Sequence, residues 1–120
     1  MSVRRLAVVL IALVTVAASA QDVAKVNPKT ITVKLDNAKV RVLDAVLKPG
    51  QKEQMHSHPA SIVYVIAGGV FRSHTPDGKT SEATLKDGEV LYREPLTHWA
   101  ENIGKTTLHL MVVELKPAGK

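Results

Sequence analysis

The chain has 120 residues and no cysteine, so no disulfide can staple it, and its stability must come from packing, sheet pairing or a bound metal. Its formal charge is +5, but setting aside Arg4 and Arg5 near the N-terminus leaves 14 basic against 11 acidic residues, a net charge of +3. The lysines are scattered and the aromatics are few (Tyr64, Phe71, Tyr92, Trp99). Neither the basic stripe nor the stacking platform of a nucleic-acid surface is present, and no nucleic-acid partner is expected.

In chain order, residues 1–20 come first. Two arginines precede an apolar run at 6–17, and Ala18-Ser19-Ala20 closes it with small residues. That order predicts a secretory signal peptide cleaved after Ala20 and a periplasmic or secreted protein. The run is short of the roughly 20 apolar residues of a membrane span, so no membrane attachment is expected after cleavage. Residues 21–29 are polar, end in Asn27-Pro28, and read as a flexible leader. Residues 30–117 read as one domain.

Within that domain the pattern is short β-type runs separated by turn residues. They fall at 30–35, 40–47, 54–58, 62–67, 70–75, 79–85, 89–93, around His98, and 106–115. Pro49-Gly50, Gly68-Gly69, Pro76-Asp77-Gly78, Asp87-Gly88 and Asn102-Ile103-Gly104 punctuate them. No segment of the domain keeps a 3.6-residue apolar period over three turns. The expected class is all-β, a sandwich or small barrel, with an immunoglobulin-like sandwich as the rival topology.

Residues i and i+2 of a strand share a face, so His56 and His58 point the same way and can bite one metal ion. Imidazole suits zinc, iron, copper, nickel and manganese. An H-x-H pair is weak evidence alone. Its surroundings strengthen it: Gly50 lies six residues before His56, and Gly88 is followed by Pro95, His98 and Asn102.

These residues resemble the two motifs of the cupin superfamily, G-x5-H-x-H-x3,4-E-x6-G and G-x5-P-x-G-x2-H-x3-N. Gly50, His56 and His58 match the first, with Gly68 or Gly69 as its closing glycine; Gly88, Pro95, His98 and Asn102 match the second. Tyr64-Val65-Ile66 also resembles the apolar triplet before the closing glycine. The resemblance covers roughly residues 33–115. It implies a small jelly-roll, or cupin β-barrel, of two packed antiparallel sheets. It implies a divalent metal (iron, manganese, nickel or zinc) on His56, His58 and His98, with open positions for water or a small-molecule substrate. It also implies a homodimer through edge strands, for which 30–35 and 106–115 are the candidates. Two motif residues are missing. Ser61 or Ile62 stands where the glutamate belongs, and Leu96 or Thr97 where the glycine of P-x-G belongs.

Three neutral imidazoles would leave such a site near +2, suited to an anionic ligand or a developing oxyanion. Protonation of histidines with pKa near 6.5 predicts weaker metal binding below about pH 6. Gln54 shares the parity of His56 and His58 and is expected inward, as a weak oxygen ligand or hydrogen-bond partner; Glu53 and Ser57 are expected in solvent. Tyr64 is expected in the core or hydrogen-bonded near the site, and Asn102 as the organiser of a neighbouring loop, with a role in orienting a ligand as the alternative. Trp99 is expected on the opposite face from His98, and His74 exposed. His109 is expected as a satisfied buried histidine, with a fourth-ligand role as the alternative. Glu101 and Glu114 are expected as surface charges. Three functions are open on this reading: a metal-dependent cupin, with action as an enzyme on small organic acids or carbonyl compounds as one form of it; a metal-free small-ligand module; and an envelope structural or interaction protein.

Overall fold

A computed structural model describes residues 22–118; the expected signal peptide at 1–20 lies outside the described residues. A short helix, α1 (Val23–Val26), precedes nine strands: β1 (Ile31–Asp36), β2 (Val40–Leu47), β3 (His56–His58), β4 (Ser61–Ala67), β5 (Gly69–His74), β6 (Thr80–Leu85), β7 (Val90–Arg93), β8 (Leu96–Asn102) and β9 (Leu108–Leu115). The strands form two antiparallel sheets, ordered β1-β2-β9-β4-β7 and β3-β8-β5-β6. The all-β class expected from the strand pattern, and the two antiparallel sheets that the resemblance implies, are what folds.

Period-two alternation is clearest in β4. Ser61, Val63 and Val65 are buried, while Ile62, Tyr64 and Ile66 face outward and are exposed. Val63 joins Val23, Ile31, Leu43 and Val112 in the core between the sheets. Burial of each such side chain contributes roughly 1.5–3 kcal/mol.

The motif glycines have a geometric cause. Gly50 and Gly88 sit at φ 83° and 80°, a left-handed conformation that a Cβ would strain. Of the two candidate closing glycines, Gly68 meets the harder constraint: a Cβ there would fall 2.0 Å from the Leu85 carbonyl oxygen.

Two expectations need correction here. The leader is packed, not loose, from Asp22 onward. Val23 is fully buried, Asp22 caps α1 by accepting from the Ala24 and Lys25 amides, and its carboxylate takes the Arg41 guanidinium at 2.6 and 3.1 Å. The polar composition of this stretch concealed one apolar anchor and one ion pair. The final strand is also not an edge. β9 lies between β2 and β4 in the five-stranded sheet, and its pairing on both sides is complete over most of its length. β1 is an edge, as expected, and β7 is the opposite one.

Candidate metal centre and the cavity beside it

β3 and β8 pair so that His56 stands directly across from His98, and His58 follows two residues along the same face. The chain thereby brings together three imidazoles separated by up to 42 positions. One ring nitrogen from each lies within 4.8 Å of the others. Ring centroids are 4.7, 4.8 and 5.6 Å apart, and the planes are steeply inclined at 86°, 75° and 66°. The rings surround a common point instead of stacking.

Each Nδ1 is already engaged. His56 Nδ1 donates to the Gln54 carbonyl at 2.7 Å, His58 Nδ1 donates to Glu114 Oε2 at 2.7 Å, and His98 Nδ1 bonds with Ser73 Oγ at 2.7 Å. A proton on Nδ1 leaves the Nε2 lone pair free, the tautomer a metal needs. His56 Nε2 is buried and has no hydrogen-bond partner. An orphaned polar atom of this kind costs about 1–3 kcal/mol unless something binds it. The donor set and this orphan fit a divalent ion.

Burial lowers the His56 pKa to about 4 and the His98 pKa to about 3. The Gln54 carbonyl partly opposes the shift at His56, and the positive charges of its neighbours reinforce the shift at His98. Both rings therefore stay neutral well below pH 6. The expected loss of metal below about pH 6 moves to lower pH, because a buried imidazole takes up a proton less readily than the solvated one assumed.

Glu114 is the ligand-supporting residue that sequence reasoning missed. It is buried, not a surface charge, and it lies directly across from Ser61, the position where the motif glutamate is lacking. A carboxylate thus enters from the neighbouring strand and grips His58 from behind. The signal was present: Leu108, Leu110, Val112 and Glu114 alternate onto one face of β9, which lines the interior.

Glu53 also departs from its expected place. It does not point to solvent but lines the cavity together with His58, Arg93 and His98, and burial pushes its carboxyl up to about 7, partly opposed by the Ala100 backbone and Arg93. Gln54, expected inward, is instead exposed. Both parity readings failed for one reason: the ladder starts only at His56. Before it the backbone is irregular, with a lone bridge from Lys52 to Glu101 and a Glu53 amide bonded to the Ala100 carbonyl. Asn27 fixes this turn by accepting from the Gln54 amide at 2.7 Å.

The remaining residues lie away from the cluster. Tyr64 is on the outer face and 47% exposed, opposite to expectation, because Val63 and Val65 take the inward positions. Asn102 is buried and organises a loop: its Nδ2 donates to the Leu47 and Thr106 carbonyls and its Oδ1 accepts from Gly104. His109 is only half-buried on the outer face, where it bonds Asp44 at 2.6 Å. His74 is not exposed; it stacks on Trp99 and bonds Glu101, whose carboxylate is largely shielded.

Residues 43–114, more than half of the chain, match the family model described as cupin domain. A search of curated proteins gave no match. Among solved structures, a cupin domain from Bordetella pertussis Tohama I is 27% identical, with a TM-score of 0.66 over 72% of this chain and 92% of that one. An RmlC-like cupin family protein with a double-stranded β-helix fold from Methanocaldococcus jannaschii is 21% identical, with a TM-score of 0.55 over 72% of this chain and 81% of that one. A conserved protein with a double-stranded β-helix domain from Klebsiella pneumoniae is 23% identical, with a TM-score of 0.53 over 85% and 94%. The last two likenesses speak to fold alone. With the two-sheet barrel, the paired histidines and the matched family model together, the chain belongs to the cupin family.

Proposed function

We propose that this chain is an exported small cupin that holds a divalent metal on His56, His58 and His98 and takes a small organic molecule in the adjoining cavity. The buried, unpartnered Nε2 of His56 carries this reading, since its own Nδ1 and those of its two neighbours are already engaged. Iron, manganese, nickel and zinc all accept such a donor set. A bound ion would supply Lewis-acid polarisation of a ligand oxygen. Glu114 orients His58, Ser73 orients His98, and Glu53 is a carboxyl able to hold or release a proton near neutral pH beside the ligand. Elemental analysis of protein expressed in metal-rich medium is expected to give close to one divalent ion per chain, and His98→Ala to give less than about a tenth of one. Equal metal contents in the two proteins would overturn the metal reading.

A metal-free ligand-binding cupin is the second reading. Ser61 favours it, because the motif's anionic ligand is absent from that position. Ligand-induced thermal stabilisation that survives chelator distinguishes it.

The homodimer is proposed on a different surface from the one the sequence suggested. The outer face of the five-stranded sheet exposes Ile62, Tyr64 and Ile66 of β4 and Val90 and Tyr92 of β7, toward the free edge of β7, with Leu35 of β1 at the other edge. Apolar faces of this extent mark interaction sites. Light scattering at micromolar concentration is expected to give twice the chain mass, and Tyr64→Glu to give the single-chain mass. A wild-type protein of single-chain mass would refute the dimer.

A further inference from the structure

Arg93 is the unusual cation of this fold. Arg41 is held by Asp22, and Arg72 reaches both Glu82 and Glu101. Among the described residues no carboxylate lies within 4 Å of Arg93, and no protein acceptor takes a hydrogen bond from its side chain. Its Cζ sits 5.2 Å over the Phe71 ring, within cation–π range. Its donors have no partner in the fold, yet no Arg93 nitrogen is sealed from the surroundings, so they are open to an incoming anion.

Its position gives the missing anion a setting. Arg93, Phe71 and His98 line two hollows at once: an inner cavity between the sheets and a wider mouth bounded by Leu85, Leu91 and Leu96. Arg93 therefore stands at the neck between them. Beyond the neck the inner cavity is aliphatic, with Ile31, Leu43, Leu110 and Val112 in its wall, and His58 and Glu53 as its other polar groups. Its volume is about 60 Å³. At roughly 10–15 Å³ per water-sized site, that is room for roughly four to six heavy atoms.

We infer that Arg93 anchors the carboxylate of a short-chain organic acid at the neck of the barrel, with the acid's apolar body in the inner cavity beside His58 and His98. A guanidinium fork matches a carboxylate with two parallel hydrogen bonds. The aliphatic wall selects a hydrocarbon body, and Glu53 disfavours a second negative charge inside. The inference rests on the reading of this cavity as the ligand site, not on the metal.

The test is calorimetric titration of butyrate, succinate and neutral butyramide into chelator-treated protein and, separately, into cobalt-loaded protein. Butyrate is expected to bind in both, at least about 10-fold more tightly than butyramide or succinate, the discrimination a charge-assisted bidentate contact supports. Arg93→Gln is expected to weaken butyrate at least about 10-fold while leaving cobalt content unchanged. Arg93→Lys, which keeps charge and loses the fork, is expected to fall between. A folded Arg93→Gln protein with wild-type butyrate affinity overturns the inference, as does absence of butyrate binding to wild type. If the protein never takes cobalt yet binds butyrate through Arg93, the metal reading fails and this one stands.

Discussion

Chelator-stripped protein is expected to gain about 10–20 °C in Tm when a site-competent divalent ion is supplied at about a hundred times its Kd. Binding to the folded state alone adds about 2.7 kcal/mol at that concentration, and a domain of this size shifts by about 4–8 °C per kcal/mol. The physical source is local. In the stripped protein His56 Nε2 is buried without a partner, and the ion gives that lone pair one. His98→Ala removes one of three ligands and is expected to abolish the shift. Glu114→Gln keeps all three imidazoles but replaces the carboxylate behind His58 Nδ1, and is expected to weaken metal affinity about 10–100-fold. Differential scanning calorimetry with and without the ion, on the three proteins, checks the order wild type, Glu114→Gln, His98→Ala. An equal shift in wild type and His98→Ala would place the ion elsewhere and sink the three-histidine site.

The parts of this site that could be read in the sequence are those that follow local rules. His56 and His58 share a face because they are two apart within a strand, and Gly50 and Gly88 mark turns that take a left-handed backbone. The alternation of β4 fixed which residues face the core. What could not be read depended on where a strand begins and which strand lies beside it. Parity counted backward from His56 put Glu53 in solvent and Gln54 inside, but no ladder exists there to enforce it. Glu114 was hidden by a different step. A buried His109 would put the odd-numbered face of β9 inward and Glu114 outside, whereas β9 turns Leu108, Leu110, Val112 and Glu114 inward. That Glu114 stands opposite Ser61 is a property of sheet order, set by the β4–β9 pairing across 53 positions. The compensating carboxylate is therefore a tertiary feature, and a linear motif records only its loss.

The buried titratable groups also predict an acid response with two slopes. In metal-free protein His56 and His98 have folded pKa values of about 4 and 3, below the ordinary 6.5, so the unfolded chain holds more protons at these two sites as pH falls through 6.5. Their contribution to stability is complete above pH 6.5 and drains away below it. Glu53 acts oppositely. Its folded pKa is raised from 4.5 to about 7, so the folded state holds the extra proton between those values and gains stability as pH falls through them. Between pH 6.5 and 4.5 two destabilising protons meet one stabilising proton, and the net loss is about 1.4 kcal/mol per pH unit. Below 4.5 the offset from Glu53 ends, and the slope approaches about 2.7 kcal/mol per unit until His56 itself titrates. Against a total stability of about 5–15 kcal/mol, the roughly 4 kcal/mol lost between pH 6.5 and 4 is a large part of what holds a small domain folded. Asp22, whose carboxyl Arg41 holds down at about 2, adds its own loss only below its ordinary 3.8. Urea denaturation of metal-free protein at half-unit pH steps measures the slopes. Glu53→Gln removes the offset and is expected to roughly double the loss between pH 6.5 and 4.5. His98→Gln removes one of the two opposing histidines and is expected to leave that window nearly flat. A wild-type stability that stays constant from pH 6.5 to 4.5, or a Glu53→Gln protein with the wild-type slope, would mean that these three side chains are more solvated than their places between the sheets imply.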